Sequence, residues 1–68
     1  MNFEEISLSE LENLSFSDKI KYCNYIVDLN YKSGYKLSIP QVMNSTFGKE
    51  SLEQYREYLR LQRIANII

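Results

Sequence analysis

The sequence predicts an all-α protein, one compact domain of three to four helices. Three observations point there. Serines followed three residues later by an acid or an amide recur along the chain, which is the pattern of helix N-termini. Apolar residues between them repeat at three- and four-residue spacing. Neither Asn-Gly nor Asp-Gly occurs to turn a hairpin, and no long stretch alternates with period two. At 68 residues the chain is a single domain, near the lower limit of what folds without staples.

The elements follow in order. Residues 1–14 are an acidic arm with a short helix over 8–13, opened by Ser7-Leu8-Ser9-Glu10 and carrying Leu8, Leu11 and Leu14 on one side. Residues 15–66 form the helical core. Ser15-Phe16-Ser17-Asp18 starts a helix over 16–33, and Gly34 suits a left-handed C-cap at its end. Phe16, Ile20, Cys23, Val27 and Tyr31 share one face, with Tyr22, Ile26 and Leu29 adjoining. Apolar cover this wide predicts packing on two sides, which makes this helix the expected hub. Asp18, Lys21, Tyr25, Asp28 and Lys32 are left for water. Ser38-Ile39-Pro40-Gln41 opens a third helix over 39–46, with proline in the first turn, where its missing N–H costs nothing. Gly48 is expected to cap it as Gly34 caps the second. Ser51-Leu52-Glu53-Gln54 reads as a fourth box, at the head of a helix over 50–66. Facing residues for the core come from Leu8, Leu11 and Leu14, from Ile39, Val42 and Met43, and from Leu52, Tyr55 and Leu59.

Composition removes several chemistries. The chain has one cysteine and no histidine, which excludes an internal disulfide, a Cys/His zinc site and a Ser-His or Cys-His catalytic pair. No phosphate-cradling glycine loop is present, so neither an enzyme nor a cofactor is expected. Cys23 lies mid-stripe and reads as a core thiol. No run of about 18 apolar residues is present to span a membrane. The acidic start, Met1-Asn2-Phe3-Glu4-Glu5, has no apolar segment of the secretory kind, and a cytoplasmic location is the expectation. Abundant Asn, Ile, Lys and Tyr suggest an AT-rich coding genome, such as that of a low-GC bacterium, its plasmids or its phages.

Charge is laid out unevenly. Residues 1–18 hold five acids and no base, whereas residues 19–68 hold eight basic residues against four acids. Such asymmetry marks either a nucleic-acid surface with its own counter-charge or acids placed at helix N-termini. In the last helix Lys49, Arg56, Arg60 and Arg63 fall within an arc of about 60°. A cationic line of this kind meets phosphates, and arginine also forks onto guanine edges. It is equally a solvated face laced by the pairs Glu53–Arg56 and Glu57–Arg60. A second candidate surface is Tyr31-Lys32-Ser33-Gly34-Tyr35-Lys36, where Lys32, Tyr35 and Lys36 combine rings that stack with amines that reach phosphates. Tyr25, Tyr35 and Tyr58 are the tyrosines expected to be most exposed.

Leu14 to Leu59 resembles the small helix-turn-helix DNA-binding domains of low-GC bacterial phages and plasmids. The pieces are Ser15-Phe16-Ser17-Asp18-Lys19-Ile20, then Ile39-Pro40-Gln41-Val42, Gly48, and the helix from Ser51 onward. The resemblance implies that the Ser51–Arg63 helix reads the DNA groove. The chain departs from that pattern at Met43, where the family has a small residue, and at Lys49, where it has an apolar one. Its Asn30–Leu37 connection is longer than usual.

The favoured expectation is therefore a small non-enzymatic DNA-binding regulator, with double-stranded DNA as partner. The alternative is a protein-binding module, such as a phage-encoded inhibitor or antirepressor acting on an acidic surface of a host protein. Ile64, Ala65, Ile67 and Ile68 put apolar residues on several sides of the last helix. They are expected to dock beside Phe3 and Ile6, to form a homodimer interface through Ile64, Ile67 and Ile68, or to meet residues of a longer chain.

Overall fold

Serine capping starts three of the four helices. In the computed structural model, which describes residues 3–67 and side chains as far as residue 65, a 3-10 turn at Phe3–Glu5 precedes α1 (Leu8–Glu12), α2 (Phe16–Lys32), α3 (Ile39–Phe47) and α4 (Lys49–Ile67). Ser7 Oγ accepts the Glu10 N–H at 3.2 Å and Ser15 Oγ accepts the Asp18 N–H at 3.2 Å. Ser38 completes a full box: its Oγ accepts the Gln41 N–H, and Gln41 Oε1 accepts the Ser38 N–H at 2.9 Å. Each such cap contributes about 1 kcal/mol.

Ser51 behaves differently from its expected role as a cap. α4 begins at Lys49, directly from Gly48, whose carbonyl accepts the Leu52 N–H at 3.2 Å. Ser51 is thus already inside the first turn and buried, and Lys19 Nζ donates to its Oγ at 3.1 Å. The serine-plus-three pattern is the same in both roles, and only packing separates a cap from a buried acceptor.

The two glycines end their helices by different means. Gly34, with φ of +90°, closes α2 as a Schellman motif: its N–H donates to the Tyr31 carbonyl and the Tyr35 N–H reaches back to Asn30. Gly48 has φ of +95° and ψ of 177°, a region essentially confined to glycine. It is not the left-handed cap expected. It is a one-residue junction, where a helix-turn-helix uses a turn of about three to four residues.

The core is small and centred on α3. Cys23 and Met43 are fully buried, Val42 and Tyr55 nearly so, and Phe16, Ile20, Ile26, Val27, Ile39 and Phe47 pack around them. Both α2 and α4 pack closely on α3, so the hub is α3 and not the expected α2. Length explains the difference: α2 is about 26 Å long, and α3, at about 14 Å, covers only part of it. Tyr31 and Leu29, beyond that cover, are 69% and 49% exposed despite their apolar face. Leu14 is buried, Leu11 is half-buried, and Leu8 stays in solvent.

The N-terminal arm is tied down by aromatic contacts. Phe3 meets Tyr22 edge-on at 5.4 Å and Tyr25 at 5.7 Å, and Tyr22 in turn meets Phe47 at 5.9 Å. Edge-to-face pairs of this kind contribute about 0.5–1.5 kcal/mol each beyond burial. Tyr25 is consequently half-buried, where periodicity placed it in water.

Candidate functional site

The rotation of α4 about its axis decides which residues it offers. Ser51 and Tyr55 are buried and Leu52 is half-buried, which fixes the inward direction. The opposite sector, read at 100° per residue, carries Glu50, Glu53, Glu57, Arg60 and Ile64. Lys49, Arg56 and Arg63 lie on a flank between the inward and outward sectors, with Arg60 at that flank's outer edge. The opposite flank carries Gln54, Tyr58 and Leu61.

All four stripe cations are exposed. Arg60 Nη2 donates to Glu57 Oε1 at 2.6 Å, one turn away, and both side chains are more than half exposed. Glu53 makes no such bond with Arg56, so the second expected pair is absent. Among the described residues Lys49, Arg56 and Arg63 have no ion-pair partner. Leu59, also exposed, stands three residues after Arg56 and four before Arg63, which makes it their neighbour on the helix surface.

The second surface is separate. Lys32 closes α2, and Tyr35 and Lys36 follow in the connection to α3; all three are exposed. The α2 residue that touches the middle of α4 is Phe16, whose ring lies 5.6 Å from that of Tyr58. Lys32 is about 24 Å further along α2, so the corner and the middle of α4 are distinct surfaces. Of the expected dimer residues, Ile64 is exposed and does not dock on Phe3, which is occupied with α2. The Ile67 side chain and Ile68 lie outside the described residues.

Two features were not evident from sequence. An open groove of about 410 Å³ runs along the Tyr58 flank, lined by Phe16, Gln54, Glu57, Tyr58 and Leu61. Its helix residues follow a three- and four-residue spacing, but Phe16 comes from another helix and gives no local signal. Lys19 is the other: its ammonium sits 5.3 Å from the centre of the Phe47 ring while bonded to Ser51. It joins α2 to the junction of α3 and α4 and is a structural cation.

Cys23 is not poised as a nucleophile. Burial pushes the Cys23 thiol up to about 11, so it is protonated near neutrality, and its S–H donates to Met43 Sδ at 3.9 Å. Burial likewise raises the Tyr55 phenol, with the nearby Cys23 and Tyr58 adding to the shift. Among the described residues, no group of His, Cys, Asp and Glu is placed to hold a metal ion, and no helix is long and apolar enough to cross a membrane.

Fold and surface together define a small all-α domain that presents one long, amphipathic, mixed-charge helix. No protein-family model matches the chain, and neither a curated protein nor a solved structure matches it.

Proposed function

We propose that this protein is a non-enzymatic binding module that docks the Lys49–Arg56–Arg63 flank of α4 on an acidic protein surface. One observation carries the reading: the outermost sector of α4 as far as Glu57 is acidic, with Glu50, Glu53 and Glu57 pointing away from the core. A recognition helix enters the major groove with its N-terminal residues foremost. Three carboxylates there would face a polyanion, at a cost that grows as water is excluded. An acidic protein surface can meet the cationic flank from the side. Leu59, exposed between Arg56 and Arg63, supplies the apolar contact that protein interfaces use at their centre.

A DNA-binding regulator of helix-turn-helix type is the second reading. It is favoured by the order α2, α3, α4 and by three exposed cations that have no ion-pair partner among the described residues, which could line up along phosphates. A fluorescence-anisotropy titration against random duplex DNA at low and moderate salt separates the two. Non-specific DNA binders associate at about 10⁻⁶ to 10⁻⁴ M with a steep salt dependence. The protein-binding reading expects no association in that range at low salt. Salt-sensitive binding that weakens in Arg56→Ala and Arg63→Ala would replace it with the DNA reading.

A further inference from the structure

We infer that Gly48 is a hinge at which α3 and α4 straighten into one helix, so that two copies of this chain exchange their α4 segments. The inference does not rest on the partner reading, because the contacts exchanged belong to Ser51, Tyr55 and Tyr58 and not to Lys49, Arg56 or Arg63.

Backbone bonding is the first argument. Two hydrogen bonds span the corner: the Gly48 N–H donates to the Asn44 carbonyl at 3.0 Å, and the Leu52 N–H donates to the Gly48 carbonyl at 3.2 Å. Both join residues four apart, so a continuous α-helix keeps them. The three bonds that such a helix has in between are absent, because the Lys49, Glu50 and Ser51 N–H groups do not reach the Ser45, Thr46 and Phe47 carbonyls. The residue before α4 is a glycine with no side chain to cap those N–H groups, whereas Ser7, Ser15 and Ser38 cap the other three helices. Rotation of Gly48 from φ +95° and ψ 177° to about −63° and −42° forms all three bonds. No proline lies beyond Pro40 to interrupt the resulting helix over Ile39–Ile67, which is about 43 Å long.

The core names the partner. Straightening withdraws Tyr55 from Cys23, Val42 and Met43, and takes Ser51 from the Lys19 ammonium. It also parts Tyr58 from Phe16. The surface left behind is shaped to α4, and the segment that fits it is another α4. A second straightened copy supplies Ser51, Tyr55 and Tyr58 to those places and receives the first copy's in return, so each core is complete only in the pair. Bent and exchanged forms thus share their side-chain contacts and differ chiefly at one residue. A strained hinge this short is the kind that invites exchange.

Concentration and residue 48 test the inference. The chain refolded from urea at about 1 mM should contain a dimer on size-exclusion chromatography, and the chain refolded at about 5 µM should be monomeric. Gly48→Ala strains the bent form and favours the straight one, in both copies of the pair. It should tighten the dimer at least about a hundredfold while keeping the helical far-ultraviolet circular dichroism. Insertion of two glycines after Gly48 relaxes the corner and weakens the straight helix, and should leave only monomer. A dimer formed through an exposed face elsewhere would respond to neither change, since a side chain at residue 48 meets nothing within 4 Å. A Gly48→Ala chain that is monomeric or unfolded after refolding at about 1 mM would overturn the inference, as would an insertion variant that dimerises as readily as Gly48→Ala. A wild-type chain wholly monomeric after the same refolding would overturn exchange by the native hinge.

Discussion

The two halves of α4 have the same helical backbone and opposite surroundings. From Lys49 to Tyr55 the helix is held from one side: Ser51 and Tyr55 are buried, Leu52 is half-buried, and Lys19 bonds across to Ser51. From Arg56 to Ala65 every side chain is exposed. α4 is about 28 Å long and its support, α3, about 14 Å, so half of it overhangs. Beyond the contact of Tyr58 with Phe16, that half persists on local terms: mostly strong helix formers in Arg56-Glu57-Tyr58-Leu59-Arg60-Leu61-Gln62, no glycine or proline, and the Glu57–Arg60 pair. The difference teaches where stability and recognition reside. The first half anchors the fold, and the second is surface held out for something else.

Substitutions should divide along the same line. Met43→Ala, at the centre of the anchored region, leaves a void where a fully buried side chain met Cys23, and should lower the unfolding free energy in urea by about 2–5 kcal/mol. In a domain this small that is a large part of the total stability. Gly48→Ala should cost about 1–3 kcal/mol by the same measurement, from backbone conformation alone. In the overhang, Arg60→Ala should change stability by no more than about 0.5 kcal/mol, because the ion pair it removes is exposed. A loss above about 1 kcal/mol there would mean that the two halves are not independent.

Much of the fold was legible because its signals are local. Ser7, Ser15 and Ser38 mark helix starts through bonds to residues three positions on, and Gly34 marks an end through bonds to the preceding turn. These need nothing from the rest of the chain. What depended on tertiary packing was less legible. Ser51 carries the same local signature and is a buried acceptor for Lys19. Phe3, one of three places offered to the C-terminal isoleucines, packs on Tyr22 and Tyr25. α2 has the wider apolar cover, yet α3 is the hub because it is short and central. The cationic stripe was correctly found as a line of exposed residues, but a wheel has no origin until the core supplies one. Only burial of Ser51 and Tyr55 shows that Glu50, Glu53 and Glu57, and not Lys49, Arg56 and Arg63, face furthest outward.

The junction at Gly48 has a stereochemical consequence. A Cβ added there would meet nothing within 4 Å, so the site is indifferent to bulk. What it refuses is a left-handed amino acid in a conformation whose mirror image is ordinary extended chain. Reflection of φ +95° and ψ 177° lands in the broad β region that any L-residue enters freely. The bend between α3 and α4 is therefore a position for D-chirality: a synthetic chain carrying D-alanine at residue 48 keeps the corner without glycine's freedom in the unfolded state.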